Sequence, residues 1–145
     1  MGDGTDVERV DRGPSVVVVL MDDGAVVLVQ QWRDAVGAET VELVQERLEP
    51  GETPLDAAIR GVREECALHA TGWREHGSFW AVPAYSTQRA YVLSATVAGR
   101  VPAARGEETR LVHCDPADLD VLLDDAVSLA GLGLYRRSAT SVPSW

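Results

Sequence analysis

The sequence predicts an α/β domain, a mixed sheet with helices packed on its faces. Two apolar runs, PSVVVVL (14–20) and AVVLVQQW (25–32), are rich in β-branched residues and read as strands buried in a sheet. The segment 54–68 instead places apolar residues at 55, 58, 59, 62 and 66, a stripe at helical spacing. The elements follow in the order β-β-β-α-β-β-β-α, without the regular alternation of a doubly wound sheet.

The first strand ends at MDDG (21–24), whose Asp-Gly step suits a tight turn into the second strand. ETVELV (39–44) alternates polar and apolar residues and reads as a short third strand. The helix is signposted at its start. Thr53 is the expected N-cap, Pro54 fits the first helical position, and Asp56 completes a capping-box pattern. Two further strands, 71–83 and 89–98, are joined by the loop AYSTQ, and a polar loop (99–108) leads to a strand at TRLVHC (109–114). DPADLDVLLDDA (115–126) opens on Asp-Pro and predicts a helix, with 127–137 as a second helix weakened by glycine.

At 145 residues, 46% of them hydrophobic, the chain suits one domain with one core. The Gly/Asp-rich start predicts an arm over 1–13, the domain spans 14–137, and 138–145 reads as a tail. The formal net charge of −10 argues against nucleic-acid binding, because no cationic surplus exists to displace counterions from phosphates. The start lacks the apolar core of a signal peptide, and the longest apolar run, VVVVLM, is too short to span a membrane. A soluble, cytoplasmic protein without a membrane partner is the expectation. Cys66 and Cys114 fit no metal or redox spacing and read as buried thiols.

The chemistry concentrates in PGETPLDAAIRGVREECAL (50–68). Positions 61, 64 and 65 share one side of the helix, with Glu64 and Glu65 carrying carboxylates there and Glu52 preceding it. Carboxylates brought together repel unless a divalent cation lies between them, and Mg²⁺ prefers oxygen ligands shared with water and substrate phosphates. The bland alternative is a solvated helix face stapled by an Arg60–Glu64 pair at i,i+4 spacing.

This stretch resembles the box of the Nudix hydrolase superfamily, G-x5-E-x7-R-E-U-x-E-E-x-G-U. Aligned on Arg60, the first glutamate falls on Glu52, the aliphatic on Val62, the Glu pair on Glu64 and Glu65, and the last aliphatic on Leu68. VVLVQQWRDAVGAETVEL (26–43), PGETPLDAA (50–58), GSFWAVPAYSTQRAYVLSA (77–95) and GEETRLVHC (106–114) resemble the ADP-ribose pyrophosphatase branch. The resemblance covers residues 14–135 and implies an α/β/α sandwich with a mixed sheet. The box is degenerate here. Its opening glycine is Glu46, the glutamate after the arginine is Gly61, the late glycine is Ala67, and the glutamate of the following hairpin is Gln88.

In the family, the position held by Gly61 is a principal metal ligand, one turn before Glu65. Two readings follow. In one the site is rebuilt, with Glu46 supplying the lost carboxylate and Gly61 making room for it. In the other the metal site is abandoned.

A conventional enzyme of this branch would hydrolyse a nucleoside diphosphate linked to another moiety, such as ADP-ribose or a nucleotide sugar. The resemblance implies Mg²⁺ or Mn²⁺ on Glu65, Glu64 and Glu46, with Glu107 or Glu108 activating water. Arg33 is a candidate for a substrate anion, and Trp32, Trp80 and Tyr85 are candidates to stack on a base. The alternatives are a ligand-binding module without turnover, or a repurposed enzyme doing metal-free acid–base work with a glutamate or His113. The resembling branch commonly forms dimers, so a homodimer is an implied state.

Overall fold

The computed structural model describes residues 8–102 and 109–139. Its strands are β1 (Ser15–Asp22), β2 (Ala25–Arg33), β3 (Ala38–Arg47), β4 (Leu68–Trp80), β5 (Arg89–Arg100) and β6 (Arg110–Cys114). They form one sheet in the order β4-β5-β1-β3-β2-β6. Only the β1–β5 pairing is parallel; the rest are antiparallel. Helix α1 (Pro54–Cys66) covers one face, and α3 (Ala126–Ala139) covers the other. The mixed sheet between helices is the expected α/β/α sandwich.

The apolar run of β1 explains its central place. Val16, Val17, Val18, Val19 and Leu20 are all fully buried, alternating between the core under α1 and the core under α3. A strand with no polar face can sit only where both faces are covered. The Asp23–Gly24 turn has both residues at positive φ, 49° and 83°, the geometry of a two-residue hairpin loop.

On its other edge β1 has two partners. Its first half, Ser15–Val18, pairs with Arg47–Val44 of β3, and its end, Leu20–Asp22, pairs with Val27–Ala25 of β2. β3 therefore leaves β2 after Leu43 and joins β1 at Val44. At this fork the Leu43 amide donates to Ser128 Oγ on α3, 3.0 Å away, and Ser128 is fully buried.

The α1 cap forms as expected: Thr53 accepts from the Asp56 amide at 3.1 Å, and the Asp56 carboxylate accepts from the Thr53 amide at 3.3 Å. The buried stripe is Ala57, Ala58, Gly61, Val62 and Cys66, so Leu55 falls off it into solvent. The expected helix over 115–126 is broken into a single 3-10 turn (Pro116–Asp118) and the short α2 (Leu119–Leu122). Asp125 ends it by capping α3, accepting from the Ser128 amide at 3.0 Å. The segment 127–137 is helical despite its glycines, because Gly131 lets α3 approach the sheet. A Cβ there would lie 2.9 Å from Val17 Cγ1.

Helix α1 ends on Ala67 at φ 54°, ψ 39°, a left-handed cap that most L-residues avoid. Ala67→Gly should therefore stabilise the chain by about 0.5–1 kcal/mol, read as a shifted urea midpoint at constant slope.

Candidate active site

A cavity of about 420 Å³ is lined from the end of β2, the start of β1 and the end of β3, beside the last turn of α1. Glu46, Glu65 and Arg33 line it together, with Arg12, Ser15, Gln31, Gln45, Arg47 and Gln88. Helix α1 contributes Glu65 and the β3 end contributes Glu46.

Gly61 has a direct steric role here. A Cβ at position 61 would lie 2.8 Å from Glu46 Cβ and 3.2 Å from its Cγ. The Glu46 side chain thus occupies the space beside the helix where a residue at 61 would begin. Because Cβ is fixed to the backbone, no rotamer change relieves such a contact.

Glu65 lies one turn further along α1. Its Oε2 is buried and, among the described residues, has no hydrogen-bond partner. Burial first, and the neighbouring charge of Glu46 second, push this carboxyl from its ordinary 4.5 up to about 7. The Arg33 charge opposes that rise.

Arg33 is itself committed. Its guanidinium grips buried Glu42 through Nε–Oε2 at 2.8 Å and Nη2–Oε1 at 2.9 Å, and the Thr40 hydroxyl also donates to Glu42 at 2.5 Å. Burial alone would raise the Glu42 carboxyl, but these donors outweigh it and hold it below the ordinary range. Gln45 continues the network, donating to Asp125 and Ser128 at 3.1 Å each and to Glu42 at 3.3 Å.

Arg60 staples the loop before α1 to the helix. It donates twice to Glu52, both at 2.9 Å, and to the Arg47 carbonyl at 2.6 Å. Glu64 lies 3.4 Å from it and Glu46 3.6 Å. The Arg60 bond, followed by the Glu49 amide, holds the Glu52 carboxyl down at about 2. Glu52 and Arg60 therefore shape the site from outside it. Glu64 sits half-exposed on the same cation.

The aromatic candidates lie elsewhere. Trp32, Trp80 and Tyr85 are about half-exposed and do not line the cavity. Trp32 donates to Asp34 at 2.7 Å, and Trp80 carries the Arg89 guanidinium 4.7 Å above its ring. His113 bonds Asp22 at 2.9 Å on the wall of a different cavity. Glu107 and Glu108 lie outside the described residues.

Sequence reasoning missed Glu42, Gln45, Ser128 and Asp125. The alternation in ETVELV places Thr40 and Glu42 on one face, and that is the signal that could have found Glu42. The contribution of α3 carries no comparable signal.

Among the described residues, no group of three or more His, Cys, Asp or Glu side chains forms a metal cluster. The donors that do face the cavity are Glu46 and Glu65, oxygen ligands with one orphaned buried atom. That set fits a cation shared with substrate and water, as Mg²⁺ is usually held, rather than a cage built by protein alone.

Two outcomes test this geometry. Gly61→Ala should destabilise the chain by about 1–3 kcal/mol through overpacking. In an Glu46→Gly background the penalty should vanish, giving a coupling of similar size in a double-mutant cycle. Glu65 has a folded-state pKa above its unfolded value, so the folded chain binds the extra proton. Stability should fall as pH rises from about 4.5 to about 7, and Glu65→Gln should flatten that fall in urea titrations across this window.

A family model described as the NUDIX domain matches residues 11–132. The chain is 26% identical over 118 residues to the ADP-ribose pyrophosphatase of Bacillus subtilis (strain 168), a match covering 81% of this chain and 62% of that protein. The chain thus spans about 62% of the length of that relative. Two crystal or solved structures share the fold at 19% identity. One, an ADP compounds hydrolase, superposes with a TM-score of 0.77 over 89% of this chain and 75% of its own. The other, a NUDIX hydrolase from Nitrosomonas europaea, gives 0.72 over 87% and 89%. With the sandwich fold and a family match over most of its length, this chain belongs to the NUDIX domain family.

Proposed function

We propose that the chain hydrolyses a nucleoside diphosphate linked to another moiety, with ADP-ribose and nucleotide sugars as the first substrates to examine. The observation that carries this reading is the pair of carboxylates lining one cavity: Glu46 lies against the bare backbone of Gly61, one turn before Glu65, whose buried Oε2 has no hydrogen-bond partner among the described residues. In this reading Glu46 stands in for the carboxylate that the family carries on the helix.

Glu65 and Glu46 would hold Mg²⁺ or Mn²⁺, with Glu64 at the rim. Such a cation neutralises charge on phosphoryl oxygens and lowers the pKa of bound water. The rest of the work falls to the chain. Arg33 fixes Glu42 and moderates the Glu65 carboxyl. Gln31 and Gln88 offer amides to substrate oxygens along the cavity wall. Glu107 and Glu108 are the candidates for drawing a proton from the attacking water. The names of the B. subtilis relative and of the ADP compounds hydrolase support the choice of substrates.

Turnover of a nucleoside-diphosphate panel with Mg²⁺ or Mn²⁺ should be detectable and should stop with chelator. Glu65→Gln should lower kcat/KM by about 10²–10³-fold, and Glu46→Gln should raise the metal concentration needed for half-maximal rate. Turnover indifferent to chelator would move the chemistry to metal-free proton transfer. Ligand-induced stabilisation of a folded chain without turnover on the panel would make it a binding module.

A further inference from the structure

The amide of Gln45 can stand only one way round. Its Nε2 has three acceptors about it: Asp125 Oδ2 and Ser128 Oγ at 3.1 Å each, and Glu42 Oε1 at 3.3 Å. Two of the three are carboxylate oxygens, which accept and do not donate when ionised. Turning the amide over would set its carbonyl oxygen against both of them. The Nε2 end is therefore fixed toward Glu42 and α3, and its two hydrogens are spent there.

The Oε1 end is left over. Among the described residues it accepts no hydrogen bond. It is not buried either, because the buried side-chain atoms that lack a partner are Glu65 Oε2 and Asp125 Oδ1. Gln45 lines the same cavity as Glu46 and Glu65. The cavity wall thus carries a neutral oxygen acceptor whose orientation is set from another element.

That element is α3. Ser128 Oγ also accepts from the Leu43 amide at 3.0 Å, and the Asp125 carboxylate accepts from the Ser128 amide at 3.0 Å. Both partners of Gln45 are therefore held by backbone bonds of their own. Gly131 seats the same helix against Val17 of β1. A helix on the opposite face from α1 decides which end of one side chain the cavity meets.

A fixed acceptor selects what it can bond. An ionised diphosphate has no proton to donate, so its oxygens gain nothing from Gln45 Oε1. A hydroxyl does. Every residue lining the cavity is polar or charged, a wall that suits a hydroxylated group and gives a base nothing to stack on.

We propose that Gln45 is a specificity-determining residue that accepts a hydrogen bond from a hydroxyl of the group joined to the diphosphate, and that Asp125 and Ser128 are positioning residues that fix its amide. This rests on the hydrolase reading above and deepens it: the group seated in this cavity is a sugar or a similar polyol. A site that bonds a hydroxyl discriminates against the analogue without one.

The test is binding of ribose 5-phosphate and of methyl phosphate to the full chain by calorimetry, in Mg²⁺ and in chelator. Gln45→Met should weaken ribose 5-phosphate about tenfold and leave methyl phosphate unchanged. Gln45→Ala repeats the comparison if methionine disturbs the fold. Asp125→Ala should produce the same selective loss, while Asp125→Asn, whose carbonyl still accepts from Gln45 and Ser128, should retain the parent's preference. Equal losses for both phosphates, no loss for either, or a folded parent chain that binds neither would overturn the proposal. A fall in Mg²⁺ affinity in Gln45→Met, with both phosphates held as before, would put the oxygen on the cation and overturn it as well. The two readings fail separately. A selective loss in a chain that hydrolyses nothing would retain the role of Gln45 and remove the hydrolase. Hydrolysis of ADP-ribose with unchanged KM in Gln45→Met would do the reverse.

Discussion

β3 pairs antiparallel with β1 and also antiparallel with β2, while β1 and β2 are antiparallel to each other. Three strands cannot satisfy all of these relations side by side in a flat sheet; β1 and β2 pair only beside their hairpin and part beyond it, so β3 pairs with each in turn and changes partner between Leu43 and Val44. That change of partner brings Glu42, on the half paired with β2, close in sequence to Gln45 and Glu46, on the half paired with β1. Beside it the Leu43 amide donates to Ser128 of α3, a partner that a buried amide needs. The helix on the far face is thereby tied to the site. Asp125 caps α3, holds Gln45 and adds its charge to the field on Arg33.

The balance of charge at this place is decided by burial as much as by proximity. Glu42 and Glu65 are neighbours of the same chemical kind with opposite fates. Glu42 meets the Arg33 fork and a hydroxyl, and stays ionised despite being buried. Glu65 has an oxygen with no donor and faces another acid, so desolvation prevails. Separating two carboxylates by their hydrogen bonds lets one fold keep a fixed anion and a responsive one side by side.

Much of the fold was legible because it is written locally. The all-apolar β1, the Asp23–Gly24 turn and the Thr53–Asp56 capping box each declare their role within a few residues. The family was legible in the same way, from the residues of α1 and the segment before it. What escaped came from elements distant in sequence. The Gln45–Ser128 bond spans 83 positions, and the bond from the Thr87 hydroxyl to the Arg12 carbonyl, between the β4–β5 loop and the segment before β1, spans 75. No periodicity within a segment reports such a meeting. The aromatic candidates failed to gather at the cavity for a related reason: alternation along a strand tells which residues share a face, but not where the sheet turns.

The contact between positions 46 and 61 also sets how closely two elements pack. The crowding is between Cβ atoms, so it does not depend on the acid itself. Any side chain at 61 would meet the stem of the residue at 46, and a chain carrying both would have to move α1 away from the end of β3. The spacing of helix and strand at the cavity is thus set by the bare backbone of Gly61.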